Sequence, residues 1–312
     1  MAAAPPAAAV AGCGITPMEH LLDFDWRSTL FVLGSLGAMV MIARQLEKRW
    51  PAEVNQPSSE VLTDFKLVIA NAIMTWLVKP AVAISAVALV NAAGGGLFTL
   101  RADTALHFAL SLAIFLLVSD LYSYWSHRIS HMVPALWAMH SLHHSAEALT
   151  FITGARHLWL ETAIVGAFFP SVAMLFKTPP EIVTTALFLG FLPNGCAHLN
   201  VRLHLGRFST WINSPQWHRI HHSIQPEHHD KNFAAIFPIW DVIFGTAWIP
   251  GKDEFPKPGL VPGERPGVIA GIIWPFRNLP VVTRAGRLLD PLFRGKDLDG
   301  PRRTAGSPKP LF

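Results

Sequence analysis

The stretch DLYSYWSHRISHMVPALWAMHSLHHS, residues 120–145, combines a helical pattern with five histidines. His127 and His131 form an H-x3-H pair, and three more histidines form an H-x2-H-H group within residues 140–144. Residues three or four apart lie on the same face of a helix, so each group presents its imidazoles in one direction. Imidazole is a ligand that suits iron, zinc and copper. The pattern therefore predicts helices that carry metal ligands.

A second H-x2-H-H group lies in WHRIHHS, residues 217–223. The three groups offer more imidazoles than one ion normally takes, so we predict a two-metal centre. Scattered, solvated histidines are the alternative, and three groups with helical spacing argue against it. The ligands predicted from these groups are His127, His131, His140, His143, His144, His218, His221 and His222.

The composition is typical of a membrane protein. Of 312 residues, 51% are hydrophobic and 15% are charged, whereas soluble domains carry about 25% charged residues. The net charge is only +4 and the basic residues form no stripe, which argues against nucleic-acid binding. Cys13 and Cys196 form neither a disulfide framework nor a C-x2-C metal pair, so metal binding falls to histidine.

Apolar stretches predict an all-α integral membrane protein with about five transmembrane helices. Lys79-Pro80 interrupts the second stretch, which we interpret as one tilted span rather than two short helices. The third span is expected to continue past the bilayer until Pro134 stops it, and this places His127 and His131 just above the membrane. The predicted spans are 28–44, 66–93, 104–122, 160–176 and 181–197.

Basic residues predict the orientation. Arg44, Lys48, Arg49 and Lys66 flank the first connection, which the positive-inside rule assigns to the cytoplasm. Five crossings then place every histidine group on that face, in a helical cap that holds the dimetal site. We expect a multi-pass protein of a bacterial inner membrane or of the endoplasmic reticulum.

Three segments follow from this pattern. Residues 1–27 are Ala/Pro-rich and predict a disordered tail, residues 28–249 predict the membrane catalytic domain, and residues 250–312 predict a Pro/Gly-rich tail. Within the last segment, Thr283–Phe293 is weakly amphipathic. It either rests on the membrane surface or is a surface tail with no special role.

The ligand types favour iron. Structural zinc commonly takes four ligands that include cysteine, which the histidine groups do not contain. A dinuclear hydrolase normally has bridging carboxylates, and here Glu147, Glu161 and Asp230 are only near in sequence. A histidine-rich site at a membrane surface fits better a di-iron centre that activates oxygen. A membrane metal-binding or structural protein with a non-redox di-zinc site is the alternative.

These motifs resemble those of the fatty acid hydroxylase / sterol desaturase superfamily. Residues 120–131, with the pattern D-x3-YW-x-HR-x2-H, resemble the first motif, and HSLHHS at 140–145 resembles the second. WHRIHHS at 217–223, followed by DKNF and WD-x2-FGT up to Thr246, resembles the last. The resemblance implies a membrane-bound non-haem enzyme with two iron ions that hydroxylates or desaturates a lipid with O2. The lipid is a sterol, a fatty acyl chain or a related molecule, and zinc can occupy the site in purified protein.

The resemblance also implies residues beyond the three groups. Members carry a further histidine at the end of the last span, which His198 matches as a ninth ligand. Asn194 stands where some members have another histidine, and it is expected to act through water if it acts at all. Arg156-His157-x3-Glu161 resembles a family segment, so His157 and Glu161 are expected beside the ligands or facing the substrate.

Other polar residues near the groups have two interpretations each. Asp120 shares a helix face with His127 and either hydrogen-bonds an imidazole or packs between helices. His228 and His229 lie in a loop, and we interpret them as solvated rather than as extra ligands.

The resemblance also implies an external supply of electrons. The sequence contains no fused haem segment, no G-x-G-x-x-G loop and no set of iron–sulfur cysteines. We therefore expect a separate donor on the cytoplasmic face, either a cytochrome b5-like protein or a ferredoxin with its reductase. Arg202, Arg207 and Arg219 either help to dock this donor or, as we favour, are loop charges that contact lipid phosphates. The lipid substrate is expected to enter from the bilayer.

Overall fold

The computed structural model describes residues 26–92, 96–165, 175–260 and 267–274. The chain divides into two compact units, residues 1–42 and 43–312. Helix α1, Trp26–Arg49, begins in the first unit and ends in the second. Residues 1–25 of the predicted tail and the segment Thr283–Phe293 lie outside the described residues.

In the part of the second unit that the structure describes, one pair of short strands accompanies the helices. Strands β1, Phe98–Thr99, and β2, Phe176–Lys177, are parallel, with Phe98 opposite Phe176. Residues 159–165 are helical, and 3-10 turns occur at Phe151–Ala155, Gly206–Thr210 and Pro226–His228. The other helices are α2 (Ser58–Ala92), α3 (Ala105–Met132), α4 (Pro134–His144), α5 (Pro180–Cys196), α6 (Pro215–His221), α7 (Ile239–Ile243) and α8 (Val268–Ile272).

Helix α2 is a single helix that passes through Lys79-Pro80 without a break, as predicted. It begins earlier than the predicted residue 66. The reason is a buried polar stripe, because Glu60, Asp64 and Asn71 face protein rather than lipid. An apolar stretch defined by hydropathy ends where such a stripe starts, although the helix continues.

Among the described residues, two helical segments are long and apolar enough to cross a membrane, Ser59–Val78 and Ala105–Met132. Only 17% of the most apolar window of each segment is buried, whereas the core helix of a soluble protein is mostly buried. On α3 the exposed apolar residues form one stripe at helical spacing, which suits contact with lipid. The stripe consists of Leu106, Leu110, Ile114, Leu117, Trp125 and Ile129.

The other three predicted spans stay predictions, as does the cytoplasmic orientation. Helix α5 contains a shorter apolar stretch, Pro180–Gly190. Residues 166–174 of the predicted span 160–176 lie outside the described part of the chain.

Helix α3 continues through His127 and His131 and ends before Pro134, as predicted. It begins at the N-cap Thr104, whose side chain accepts a hydrogen bond from the backbone of His107 at 3.1 Å. It continues to Met132, and Pro134 starts α4 directly afterwards. The helix therefore carries His127 and His131 on its last two turns.

Helix α4 packs in a hydrophobic core with α2 and the end of the described chain. Leu67, Leu142 and Trp274 are members of this core. The indole of Trp274 also donates to the Ser141 hydroxyl at 2.8 Å. Part of the segment after residue 250 thus lies in the core behind the histidine helix, while the domain limits themselves stay predictions.

Candidate metal centre

The nine predicted ligands lie together and form two clusters, each with its ring nitrogens within 4.8 Å of one another. We call them the first and the second histidine cluster. The first cluster consists of His127, His131, His140, His144 and His221. The second cluster consists of His143, His198, His218 and His222.

Both H-x2-H-H motifs divide their ligands between the clusters. Neighbouring residues on a helix point about 100° apart, so an adjacent pair of histidines cannot face one ion. Helix α4 gives His140 and His144 to the first cluster and His143 to the second. Helix α6 and its C-cap give His218 and His222 to the second cluster and His221 to the first. Each cluster therefore depends on both helices.

The Nε2 atoms inside each cluster are close to one another. In the first cluster, His140 lies 3.0 Å from His127 and 3.2 Å from His144, and His131 lies 3.1 Å from His144. In the second cluster, the distances are 3.1 Å from His198 to His143, 2.9 Å from His218 to His198 and 3.2 Å from His222 to His218. The rings of His144 and His222 stack at 4.5 Å where the clusters meet.

Hydrogen bonds to the other ring nitrogen show why a cation fits the first cluster. Nδ1 of His127 lies 2.8 Å from the carbonyl oxygen of Phe233, which can only accept, so Nδ1 carries the hydrogen. Nδ1 of His140 likewise lies 2.7 Å from a carboxylate oxygen of Glu161. Both Nε2 atoms then present lone pairs to each other at 3.0 Å. These lone pairs repel unless a cation lies between them, so the donor set fits a metal ion.

Burial favours the neutral form of five of the imidazoles. It lowers the pKa of His143, His144, His218 and His222 well below its usual value, and neighbouring histidines lower it further. Burial also lowers the pKa of His221 to about 3. Metals bind the neutral form of histidine, so the clusters are prepared for an ion at neutral pH.

A loop with unusual backbone geometry orients the first cluster. Asp230 and Asn232 have positive φ angles of 56° and 59°, a conformation that Asp and Asn adopt more readily than most residues. As a result, the carbonyls of Lys231 and Phe233 point at the Nδ1 atoms of His221 and His127, at 2.7 and 2.8 Å. The motif DKNF thus sets ring orientation, a role that the sequence pattern did not reveal.

Two buried carboxylates hold this loop and the segment after it. Asp241 accepts hydrogen bonds from the backbone of Phe233 at 2.8 Å and from the Thr246 hydroxyl at 2.7 Å. Asp120 accepts from the backbone of Ile236 and Phe237, both at 2.9 Å. The hydrogen bonds of Asp120 among the described residues reach this segment and no imidazole, so its role is to anchor the segment on α3.

His198 lies against a glycine. Its ring is packed so closely on Gly154 that a Cβ atom at that position would lie 3.0 Å from Nδ1 of His198. This close approach explains a small residue in the 3-10 turn Phe151–Ala155. The side chain of Asn194, expected nearby, lies outside the described residues.

Glu161 and His157 flank the clusters. Glu161 accepts from His140 and also lies 3.4 Å from Nδ1 of His157. The ring of His157 stacks on His143, with centroids 4.2 Å apart. Both residues therefore contact predicted ligands, and these two with His140 form a further group of possible metal-binding side chains.

The two loop histidines differ from each other. His229 is exposed, as expected, whereas the expectation that His228 is solvated is wrong, because its side chain is 1% exposed. His228 lies 2.9 Å from the Ser223 hydroxyl and 3.0 Å from Glu254. Hydrogen bonds to these partners offset the free-energy cost of burying the ring. His228 belongs to neither cluster.

Arg219 is also not the surface charge that was expected. Its guanidinium is 2% exposed and donates to Glu53 at 2.7 Å and to the carbonyl of Pro256 at 2.8 Å. Arg219 therefore holds α6 against these two residues. Because its side chain is buried, it cannot contact a partner protein or a lipid phosphate. Arg202 and Arg207 are exposed, and Arg202 pairs with Asp253 at 3.1 Å.

A largely apolar cavity of about 260 Å³ lies beside the first cluster. Its walls come from α3, α4 and residues 159–165. It reaches Glu161, the partner of His140, at the cluster and extends along α3 toward the apolar half of that helix. Residues on its walls include Tyr122, Ser126, Ile129, Met139, Glu161 and Ile164.

Comparison with known proteins agrees with the motifs. Residues 112–246 match the model of the family described as fatty acid hydroxylase. Alkylglycerol monooxygenase of Homo sapiens is 35% identical over 123 residues, which is 39% of this chain and 27% of that protein. The alkylglycerol monooxygenase of Danio rerio is 34% identical over 135 residues, or 43% of this chain and 30% of that protein.

A bacterial protein matches over a longer stretch. Ornithine lipid hydroxylase OlsE of Rhizobium tropici is 26% identical over 172 residues, which is 54% of this chain and 51% of that protein. The chain thus spans about a third of the alkylglycerol monooxygenases and about half of the hydroxylase. No solved structure matches it. The match to the family model includes all three histidine motifs and His198, so this part of the chain is similar to fatty acid hydroxylases.

Proposed function

We propose that the protein is a membrane-bound oxidoreductase that uses O2 and two iron ions to hydroxylate or desaturate a C–H bond of a lipid. The observation that carries this proposal is the convergence of nine imidazoles into two clusters that share α4 and α6. The similarity to two kinds of lipid-oxidising enzyme supports it. The nine histidines are the proposed ligands.

The chemistry of the donor set favours iron over structural zinc. All nine proposed ligands are imidazoles, whereas structural zinc commonly takes four ligands that include cysteine. Nine donors divided between two clusters would hold two ions.

Iron in such a site supplies the redox chemistry by which O2 attacks an unactivated C–H bond. The protein supplies binding, orientation and shelter. The carbonyls of Lys231 and Phe233 and the carboxylate of Glu161 fix the rings of His221, His127 and His140. Burial of both clusters keeps water away from the reacting carbon.

The lipid is proposed to enter from the bilayer through the cavity beside Glu161. The apolar walls of this cavity and the exposed apolar stripe of α3 both favour a hydrocarbon chain. In this proposal five spans cross the membrane and the clusters lie on its cytoplasmic side.

The electron balance requires an outside reductant. Insertion of one oxygen atom into a C–H bond, with the other reduced to water, consumes two electrons and two protons. We propose a separate donor on the cytoplasmic face, either cytochrome b5-like or a ferredoxin with its reductase. Arg202 and Arg207 remain exposed for contact with an acidic donor.

The test combines metal analysis with oxygen uptake. The full chain, purified without added zinc and placed in lipid nanodiscs, should contain iron. It should consume O2 only when a lipid extract, a reductase and a small electron carrier are all present. The double change His143→Ala/His144→Ala removes one proposed ligand from each cluster and should abolish uptake, whereas His229→Ala changes an exposed residue outside both clusters and should not.

Two results would contradict the proposal. Zinc as the only bound metal, together with no oxygen uptake, would favour the non-redox di-zinc alternative. Full uptake by the double variant would show that the clusters are not the reaction site.

A further inference from the structure

The cavity beside the first cluster contains a buried hydrogen-bond acceptor without a partner. The Oε2 atom of Glu161 is buried and has no hydrogen-bond partner among the described residues. Glu161 as a whole is 8% exposed, and it lines the cavity. Its other oxygen, Oε1, accepts from His140 at 2.7 Å.

Two hydroxyls on the cavity wall donate hydrogen bonds within the protein. The Ser130 hydroxyl donates to the carbonyl of Ser126 at 2.8 Å. The Tyr122 hydroxyl lies 3.3 Å from the carbonyl of Val165. The remaining wall consists of apolar side chains such as Ile129, Leu136 and Met139. Glu161 is the charged side chain on this wall.

A carboxylate is an acceptor only, so the missing partner must be a donor. A buried acceptor without a donor costs free energy, and the cost is larger for a charged group. An apolar chain with an N–H or O–H group relieves that cost and fills the cavity. The cavity has a volume of about 260 Å³, so a segment of one hydrocarbon chain is enough to fill it.

We propose that Glu161 selects the substrate: the cavity binds a single-chain lipid segment whose amide N–H or hydroxyl donates to Oε2 of Glu161. This inference rests on the proposed function and names its substrate class. Because Oε1 of the same carboxylate holds His140, the donor group lies one residue away from a proposed iron ligand. The carbon next to the donor group is thereby brought to the first cluster.

The test compares matched ligands that differ by one donor. The full chain in nanodiscs, with its metal content measured, is titrated with a long-chain N-alkyl amide and with the ester of the same length, in competition with a fluorescent lipid. A second pair is a long-chain alcohol and its methyl ether. A hydrogen bond to a charged group predicts that the donor of each pair binds roughly 10-fold to 100-fold more tightly. The pair that shows the larger preference identifies the donor as N–H or O–H.

The Glu161→Gln variant reverses the hydrogen-bonding character of the cavity. Its amide oxygen can still accept from His140, which turns the NH2 group toward the cavity, so the preference for donors should be lost or inverted. The control Ile164→Val changes an apolar wall residue and should alter the affinity of both members of a pair alike. If the Gln variant loses metal, the same contact is tested in the wild-type protein by infrared difference spectra of the carboxylate. The carboxylate band should then shift with the amide and not with the ester.

Equal affinities for donor and acceptor ligands in the wild type would overturn the inference. Lipid-dependent oxygen uptake would in that case still support the proposed function. A donor preference that depends on Glu161, in a protein that oxidises no lipid, would support the cavity assignment and remove the proposed function.

Discussion

Asp64 of α2 and Arg156 form an ion pair in which both side chains are buried, at 0% and 1% exposure. Asp64 also accepts from the Thr153 hydroxyl at 2.8 Å, and Arg156 donates to the Ser145 hydroxyl at 2.8 Å. Ser145 is the C-cap of α4. This network therefore ties a membrane-type helix to the helix that carries three proposed ligands.

Removal of Asp64 should destabilise the protein. In Asp64→Ala the Arg156 charge stays buried without its main partner, which typically costs about 3–5 kcal/mol. We expect a lower thermal unfolding midpoint in nanodiscs and a lower metal content. The matched control is Asp103→Ala, which breaks an exposed pair with Arg101 and should leave the midpoint unchanged. Equal shifts in both variants would show that the buried pair has no special role.

Asn232 should affect how tightly the first cluster binds its metal ion. Its side chain donates to the carbonyls of Trp217 and Trp248, both at 3.0 Å, and its φ is positive. Asn232→Ala loses these bonds and adds backbone strain of about 1–2 kcal/mol. Asn232→Gly loses the bonds without the strain, so its metal loss, followed by elemental analysis, should lie between alanine and wild type. A glycine variant worse than alanine would argue against the strain.

A small residue at position 154 should be needed for metal binding by the second cluster. The added Cβ of Gly154→Ala would push on Nδ1 of His198. We expect this variant to lose metal, with little change in secondary structure by circular dichroism. Gly37→Ala is the control, since a Cβ there meets nothing within 4 Å. Full metal occupancy in Gly154→Ala would mean that the His198 ring can move freely.

Acid should release the ions only at low pH. Protons compete for a histidine ligand below its pKa, near 6.5 for an exposed histidine. Burial lowers the pKa of His222 well below that value and of His221 to about 3. The ions should therefore stay bound at about pH 5.5 and leave only as the pH falls further. Metal release measured by equilibrium dialysis checks this, and a midpoint near 6.5 would contradict the burial.

In the metal-free protein, acid should lower the free energy of unfolding. Its folded clusters keep the imidazoles neutral, whereas the unfolded chain takes up protons below about pH 6.5. Stability of the metal-free protein should thus decline from that pH downward. Unfolding midpoints at pH 7.5 and 5.5, with and without chelator, separate this effect from metal release.

Local periodicity was sufficient to predict the helices that hold the ligands. His127 and His131 lie on α3, and the H-x2-H-H groups lie on α4 and α6, as the spacing of three and four indicated. Helical geometry alone would also have separated His143 from His144, because adjacent residues diverge by about 100°. Which histidines share a cluster depends on how the helices pack, and this does not appear in any one motif.

The wrong predictions from the sequence concern polar residues that are buried by ion pairs with distant parts of the chain. Arg219 looked like a loop charge because arginine is usually exposed, but Glu53, far earlier in the chain, compensates its burial. Glu254 does the same for His228. The early start of α2 has the same origin, since Asp64 is buried only because Arg156 meets it. Single-sequence patterns do not contain such partners.

The division of α4 and α6 between both clusters has a consequence for biosynthesis. Neither cluster is complete until His221 and His222 have left the ribosome, long after His140. The loop carbonyls of Lys231 and Phe233 are made later still. Because domains fold as their chain emerges, N-terminal parts first, the membrane helices exist before either ion has its full set of ligands. Binding of the proposed ions is thus expected to be the last step of maturation, so a shortage of metal should lead to folded helices with empty clusters rather than to chains that fail to form these helices.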